Sequence, residues 1–143
     1  VTAAATTLHI VAAVIVRHGR WLLVRKQRTG TFIQVGGKIE AGESPRDALL
    51  RECAEEIGLD ADPSRVRALG QHHATAANEP DHVVDAHVFE LELPTGFEPR
   101  ALAELAELRW VDPHDPVTPF PVAPLSQELM SRFGAGRPRT TPG

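Results

Sequence analysis

"GGKIEAGESPRDALLRECAEEIGL", residues 36–59, carries a helix between two glycine signals. Ser44 suits the cap, Pro45 suits the first helical position because its missing N–H costs nothing there, and Asp47 is placed to complete a capping box. Gly58 supplies the stop, since helices commonly end on a glycine in the left-handed conformation. At about 100° per residue, Leu49, Cys53 and Ile57 stack at i, i+4 and i+8 on one face, which packs on a core. Glu52, Glu55 and Glu56 form a second stripe beside it.

Like charges at these spacings repel, by a few tenths of a kcal/mol per pair on an exposed helix and more at the edge of a core. The stripe therefore predicts a positive charge that the sequence does not supply. Glutamate oxygens suit a hard divalent cation such as Mg²⁺ or Mn²⁺, which keeps waters and substrate phosphates in its shell. The competing reading is a solvated acidic face. The flanking residues decide against it.

Gly37, Glu43, Arg51, Glu52, Cys53, Glu55, Glu56, Gly58 and Leu59 fit the pattern G-x5-E-x7-R-E-U-x-E-E-x-G-U, with U a bulky apolar residue. The segment resembles the Nudix box of the Nudix hydrolases, which cleave nucleoside diphosphates linked to another moiety. Cys53 stands where that family usually has Ile, Leu or Val, a mild change because a free Cys behaves as a small buried hydrophobe. Val35 replaces the proline common just before the glycines. The specific motif covers residues 36–59; looser similarity, including "LAELRWVD" at 105–112, extends over residues 8–112.

A chain of 143 residues is one typical domain, able to bury roughly two-thirds of its unfolded surface. We expect a single domain over 1–133 and a disordered tail over 134–143, which lacks apolar residues. One cysteine excludes an internal disulfide and points to a reducing compartment, the cytoplasm. "IVAAVIV" at 10–16 is too short to span a bilayer, and it lacks the basic lead of a signal peptide. With a net charge of −4, the chain is a poor general binder of duplex nucleic acid, so a phosphate-bearing partner needs a local cation cluster or a metal. Both lysines, Lys26 and Lys38, bracket the glycine pair, and Arg25 adjoins the first.

Strands are predicted at 8–17 and 21–26, joined by a turn at His18-Gly19-Arg20, and at 65–74, 82–93 and 108–111. "TFIQV" at 31–35 leads into a glycine loop, and "PLSQELMSRF" at 124–133 is the last helix. Between them, "VDPHDPVTPFPVAP" with its five prolines is an ordered or semi-rigid loop. This argues for an α/β fold with a mixed sheet packed between helices. The resemblance implies the same α/β/α sandwich, with the box as loop, helix and loop.

The resemblance further implies that Glu52, Glu55 and Glu56, with the carbonyl of Gly36, hold the metal. Arg51 and Glu43 match the pair that holds the loop against the helix. Gly36 and Gly37 have a reason to be glycines, because no Cβ then obstructs the approach of backbone to ion and phosphate. The general base is Glu52 or a carboxylate outside the box, Glu104 or Glu107. A histidine metal site is not expected: His72 and His73 are adjacent and diverge on a strand, and His82 and His87 have odd spacing. Trp21 and Trp110 fit core anchors better than base-stacking platforms.

The ADP-ribose subfamily tends to carry a proline after the box where this chain has Ala74. The dinucleoside polyphosphate subfamily carries a tyrosine, and this chain has none. What remains resembles the branch that hydrolyses (d)NTPs, oxidised ones included, to monophosphate and pyrophosphate, with Lys38 and Lys26 meeting phosphate and no base-reading residue nameable. Hydrolysis of another nucleoside diphosphate derivative such as ADP-ribose, and a catalytically silent nucleotide-sensing domain, stay open as alternatives, as does a homodimer.

Overall fold

The computed structural model describes residues 5–115 and 118–134; of the tail expected at 134–143, all but Gly134 lies outside them. Strand β1 (Thr6–Arg17) turns through His18 and Gly19, both with positive φ (52° and 75°), into β2 (Arg20–Lys26). Positive φ at both central residues is the tight hairpin turn whose twist matches its strands. There follow β3 (Val35–Lys38), α1 (Pro45–Ile57), a 3₁₀ turn (Pro63–Arg65), β4 (Arg67–Thr75), β5 (His82–Glu92), β6 (Leu105–Val111) and α2 (Pro124–Leu129). The chain continues past α2 in a π-helical turn, Met130–Gly134.

The sheet order is β4-β5-β1-β2-β6, with β3 also on β1. β1 and β5 run parallel and the other pairs antiparallel, so the sheet is mixed as expected. Val11, Ala13, Ile15, Leu22 and Val24 face α1 through Leu49, Cys53 and Ile57; Ala12, Val14 and Leu23 face α2 through Leu125 and Leu129. Two cores on the two faces of one sheet make the α/β/α sandwich. The run at 10–16 is apolar throughout because β1 is central and covered on both faces.

One edge of β1 is shared. Near Val16 it pairs β2, and from Ile10 to Ala13 it pairs β3 instead. The fork sets the glycine pair inside the sheet, so the expected glycine loop is in fact a strand. Gly36 shows why: a Cβ there would stand on the carbonyl oxygen of Val11. The reason for glycine at 36 is thus the close approach of β1, not of a ligand.

Other boundaries moved. β6 begins at Leu105 rather than 108, where pairing with β2 overrides weak alternation in "LAELRWV". The last helix is α-helical only to Leu129.

Candidate functional site

Ser44 Oγ accepts from the Asp47 N–H at 3.1 Å, and Gly58 closes α1 at φ 74° with its N–H on the Ala54 carbonyl at 3.2 Å. These caps fix which turns of α1 face β3. Ile39 N–H donates to the His9 carbonyl at 3.0 Å, so ladder alternation turns the backbone groups of Gly36 and Lys38 away from β1 and toward α1. Gly36 N–H donates to Glu56 Oε1 at 3.0 Å. A Cβ on Gly37 would lie 2.5 Å from Glu52 Oε2, so glycine there leaves room for that carboxylate.

Arg51 holds the preceding loop to the helix. Its Nε and Nη2 donate to the two oxygens of Glu43 at 2.7 and 3.0 Å, and Nη2 also donates to the Lys38 carbonyl at 3.1 Å. Nη1 donates to Glu52 and lies 3.6 Å from Glu55 and 3.7 Å from Glu40. The hydrogen bond from Arg51 holds the Glu43 carboxyl near a pKa of about 2, and the same fork raises Arg51 further above its ordinary value. Arg51 offsets part of the charge of Glu52 and Glu55, but one guanidinium shared among Glu40, Glu43, Glu52 and Glu55 leaves the stripe negative.

Glu56 is different. It is buried, and the Gly36 N–H is its hydrogen-bond partner. Burial pushes its pKa from 4.5 to about 7, with the Gly36 bond opposing and the Glu52 charge adding. Glu52 is also raised, by burial first, against the pull of Arg51.

β3, α1 and the segment before β6 border a cleft of about 820 Å³, within the size range of small-molecule sites. Glu52, Glu55, Glu56, Arg51, Gly36, Lys38 and Lys26 all line it, so the structure brings together every residue expected there. Lys26 Nζ lies 3.8 Å from Glu104, which also lines the cleft. The Lys38 ammonium has no ion-pair partner among the described residues. Glu107 is not in the lining; it is bound by Arg25 Nε at 2.8 Å and by Arg109.

Over residues 7–133 the sequence matches the NUDIX domain family. The chain belongs to the Nudix family. The CTP pyrophosphohydrolase of Escherichia coli K12 is 30% identical over 91% of this chain and 93% of its own. The 8-oxo-dGTP diphosphatase of Proteus vulgaris is 45% identical over 37% of this chain and 52% of its own. The crystal structure of a MutT NUDIX hydrolase from Burkholderia pseudomallei superposes with a TM-score of 0.74 at 26% identity, covering 90% of this chain and 98% of that one. The protein is therefore a Nudix hydrolase of pyrophosphate bonds in nucleotides.

Among the described residues of this Nudix hydrolase, no three His, Cys, Asp or Glu side chains are arranged to hold a metal ion, since Glu52 and Glu55 are turned to Arg51. The donor chemistry nonetheless fits one. Glu56 is a buried carboxylate bonded at one oxygen, Glu52 is a half-desolvated neighbour of like charge, and the Gly36 carbonyl is turned to the same side. All are hard oxygen donors.

The histidines diverge as expected. His72 is buried with Nε2 3.0 Å from the Leu69 carbonyl, whereas His73 is exposed and lies 3.4 Å from Asp85, which His9 approaches at 3.3 Å from the other side. Trp21 is core, and Trp110 carries Arg17 on its ring at 4.4 Å; neither lines the cleft. The buried Cys53 thiol is pushed up to about 12 by burial, an inert core group. No described helix is long and apolar enough to cross a membrane. Sequence reasoning passed over Gln34 and Ser126, both buried and both in the cleft lining. A glutamine inside the apolar run "FIQV" was the available signal.

Proposed function

We propose that this enzyme hydrolyses (d)NTPs, oxidised ones included, to the monophosphate and pyrophosphate, with Mg²⁺ or Mn²⁺ held by Glu52, Glu55, Glu56 and the Gly36 carbonyl. The observation that carries the reading is the half-buried Glu52 beside the buried Glu56 on one wall of a cleft whose other residues include Lys26 and Lys38. Similarity to a CTP pyrophosphohydrolase and an 8-oxo-dGTP diphosphatase supports the triphosphate class. A bound divalent ion would supply charge stabilisation on the phosphoryl oxygens and acidify the attacking water. The protein's own residues do the rest. Lys38 and Lys26 grip the polyphosphate, and Arg51 holds the Lys38 carbonyl and Glu43 so that loop and helix keep their spacing.

Water attacks phosphorus as the bond to the pyrophosphate oxygen breaks, and its proton passes to a carboxylate. Glu104 is the better placed of the two outside the box, because it lines the cleft and Glu107 does not; Glu52 is the alternative within it. The domain proposed for this chemistry spans 1–133, in a reducing, cytoplasmic setting that suits a single buried thiol.

The test is a nucleotide panel assayed with Mg²⁺, with Mn²⁺ and with excess chelator. Triphosphates should yield monophosphate and pyrophosphate with metal, and chelator should abolish turnover. Turnover of ADP-ribose alone would overturn the substrate class and leave the metal chemistry standing.

A further inference from the structure

Among the described residues, the non-glycine positions with positive φ are His18, Arg28, Asp81 and Ala103. Of these only Ala103, at φ 52°, lines the cleft. The Leu105 N–H donates to the Leu102 carbonyl at 3.0 Å, which closes a four-residue turn with Ala103 and Glu104 at its centre. Positive φ at the first central residue alone defines a turn that ordinarily takes glycine there. This chain instead holds an alanine in a strained conformation, and such strain gathers where a site has to keep one geometry.

The turn is anchored on both sides. Before it, the Leu102 N–H donates to the Glu56 carbonyl at 2.9 Å and the Arg100 N–H to the Ile57 carbonyl at 3.3 Å, so the end of α1 supplies the acceptors. After it, the Glu104 carbonyl accepts from the Gln27 N–H at 2.8 Å. The turn thus bridges the helix that carries Glu52 and Glu56 and the strand end that carries Lys26. Glu104 Oε2 lies 3.8 Å from Lys26 Nζ, and both residues line the cleft. Burial first, then the charges of Glu52 and Glu104, push Glu56 up, so Glu104 is close enough to be felt at the buried carboxylate.

We propose that Ala103 is a positioning residue, whose left-handed backbone turns the chain between these two anchors and sets the Glu104 carboxylate in the cleft beside Lys26. This rests on the reading of Glu104 as the group that takes the proton of the attacking water. With the anchors fixed, an ordinary negative φ at residue 103 would change the direction in which Glu104 leaves the backbone. Glycine would allow the turn together with many other conformations, whereas alanine has one narrow left-handed well. A displacement of about 1 Å is enough to lower turnover by up to about a hundredfold.

Steady-state kinetics of the full chain on a triphosphate with Mg²⁺, beside melting temperatures, test this. Ala103 is exposed, so Ala103→Val needs no room in the core, but a β-branched residue resists positive φ. That variant should lower kcat by about tenfold or more and leave KM within about threefold. Ala103→Gly, which keeps the turn without its strain, should raise the melting temperature and lower kcat by about threefold or less. Added to Glu104→Gln, Ala103→Val should lower kcat by no more than about a further twofold, because the carboxylate it positions is already gone. Wild-type kcat in Ala103→Val, an Ala103→Gly as impaired as Ala103→Val, or a further tenfold loss on the Glu104→Gln background overturns the assignment. Undiminished kcat in Glu104→Gln removes the role of Glu104 and this inference with it, while metal-dependent cleavage stands. A large loss in Glu104→Gln with none in Ala103→Val removes this inference alone.

Discussion

The two ends of the cleft are encoded differently. At the acidic end, Glu52, Glu55, Glu56 and Arg51 come from one helix, and the glycines and Lys38 from the strand just before it. At the apolar end, Leu8, Gln34, Val84 and Ser126 arrive from β1, the approach to β3, β5 and α2. Phosphoanhydride chemistry needs a few carboxylates at fixed spacing, which one helix provides. Recognition of a base needs walls on several sides, which only the folded sheet provides. Substitutions at the acidic end should therefore lower turnover without altering base preference, and those at the apolar end should do the opposite.

The sharpest break of that contrast comes from neutralising the carboxylates. Glu52→Gln and Glu56→Gln should each lower kcat by about 10²–10⁴ while the ratio of kcat/KM between bases stays the same. A changed ratio would show that the two ends are coupled.

The adjacent glycines divide structure from function within the acidic end. Gly36→Ala puts a methyl group on the β1 backbone and should lower the melting temperature severely, because neither strand can yield. Gly37→Ala meets the end of a side chain, Glu52 at 2.5 Å, and should displace that carboxylate, lowering kcat by about tenfold or more with a small shift in melting temperature. Equal melting temperatures for the two variants would contradict the strand placement.

Lys38→Ala should impair turnover by roughly tenfold or more and leave stability nearly unchanged, since an exposed lysine contributes little to folding. Matching losses of melting temperature and activity would assign it a structural role instead.

A separate effect, on stability and not on turnover, is the response to pH. Glu56 titrates near 7 in the metal-free fold against an ordinary 4.5. The folded state therefore binds more protons than the unfolded one between those values, and this group's contribution to stability falls as pH rises across that window, by on the order of 3 kcal/mol in total. Glu56→Gln should remove that slope. Denaturant unfolding of both proteins in chelator at pH 5, 6, 7 and 8 measures it, and parallel profiles would show that Glu56 is not the group responsible.

The limits of α1 were legible nearly to the residue because Ser44, Pro45 and Gly58 act within one turn of chain. The sandwich followed from the order of strands and helices. What local patterns hid was set by distant chain. Gly36 and Gly37 read as a loop, and only the Val11 carbonyl makes them a strand. Glu107 looked as available as Glu104 until β6 paired with β2 and gave it to Arg25. Arg51 was legible as the partner of Glu43, but not as a partial counter-charge to Glu52 and Glu55, because helical spacing does not show how a long side chain folds back.

Metal-dependent cleavage of triphosphates is decided by the products of a single reaction series: CTP, UTP, ATP, GTP, an oxidised guanine nucleotide and ADP-ribose, each with Mg²⁺, with and without excess chelator. The triphosphates should give equal amounts of monophosphate and pyrophosphate, and chelator should abolish both. Release of orthophosphate, or turnover undiminished in chelator, would contradict this.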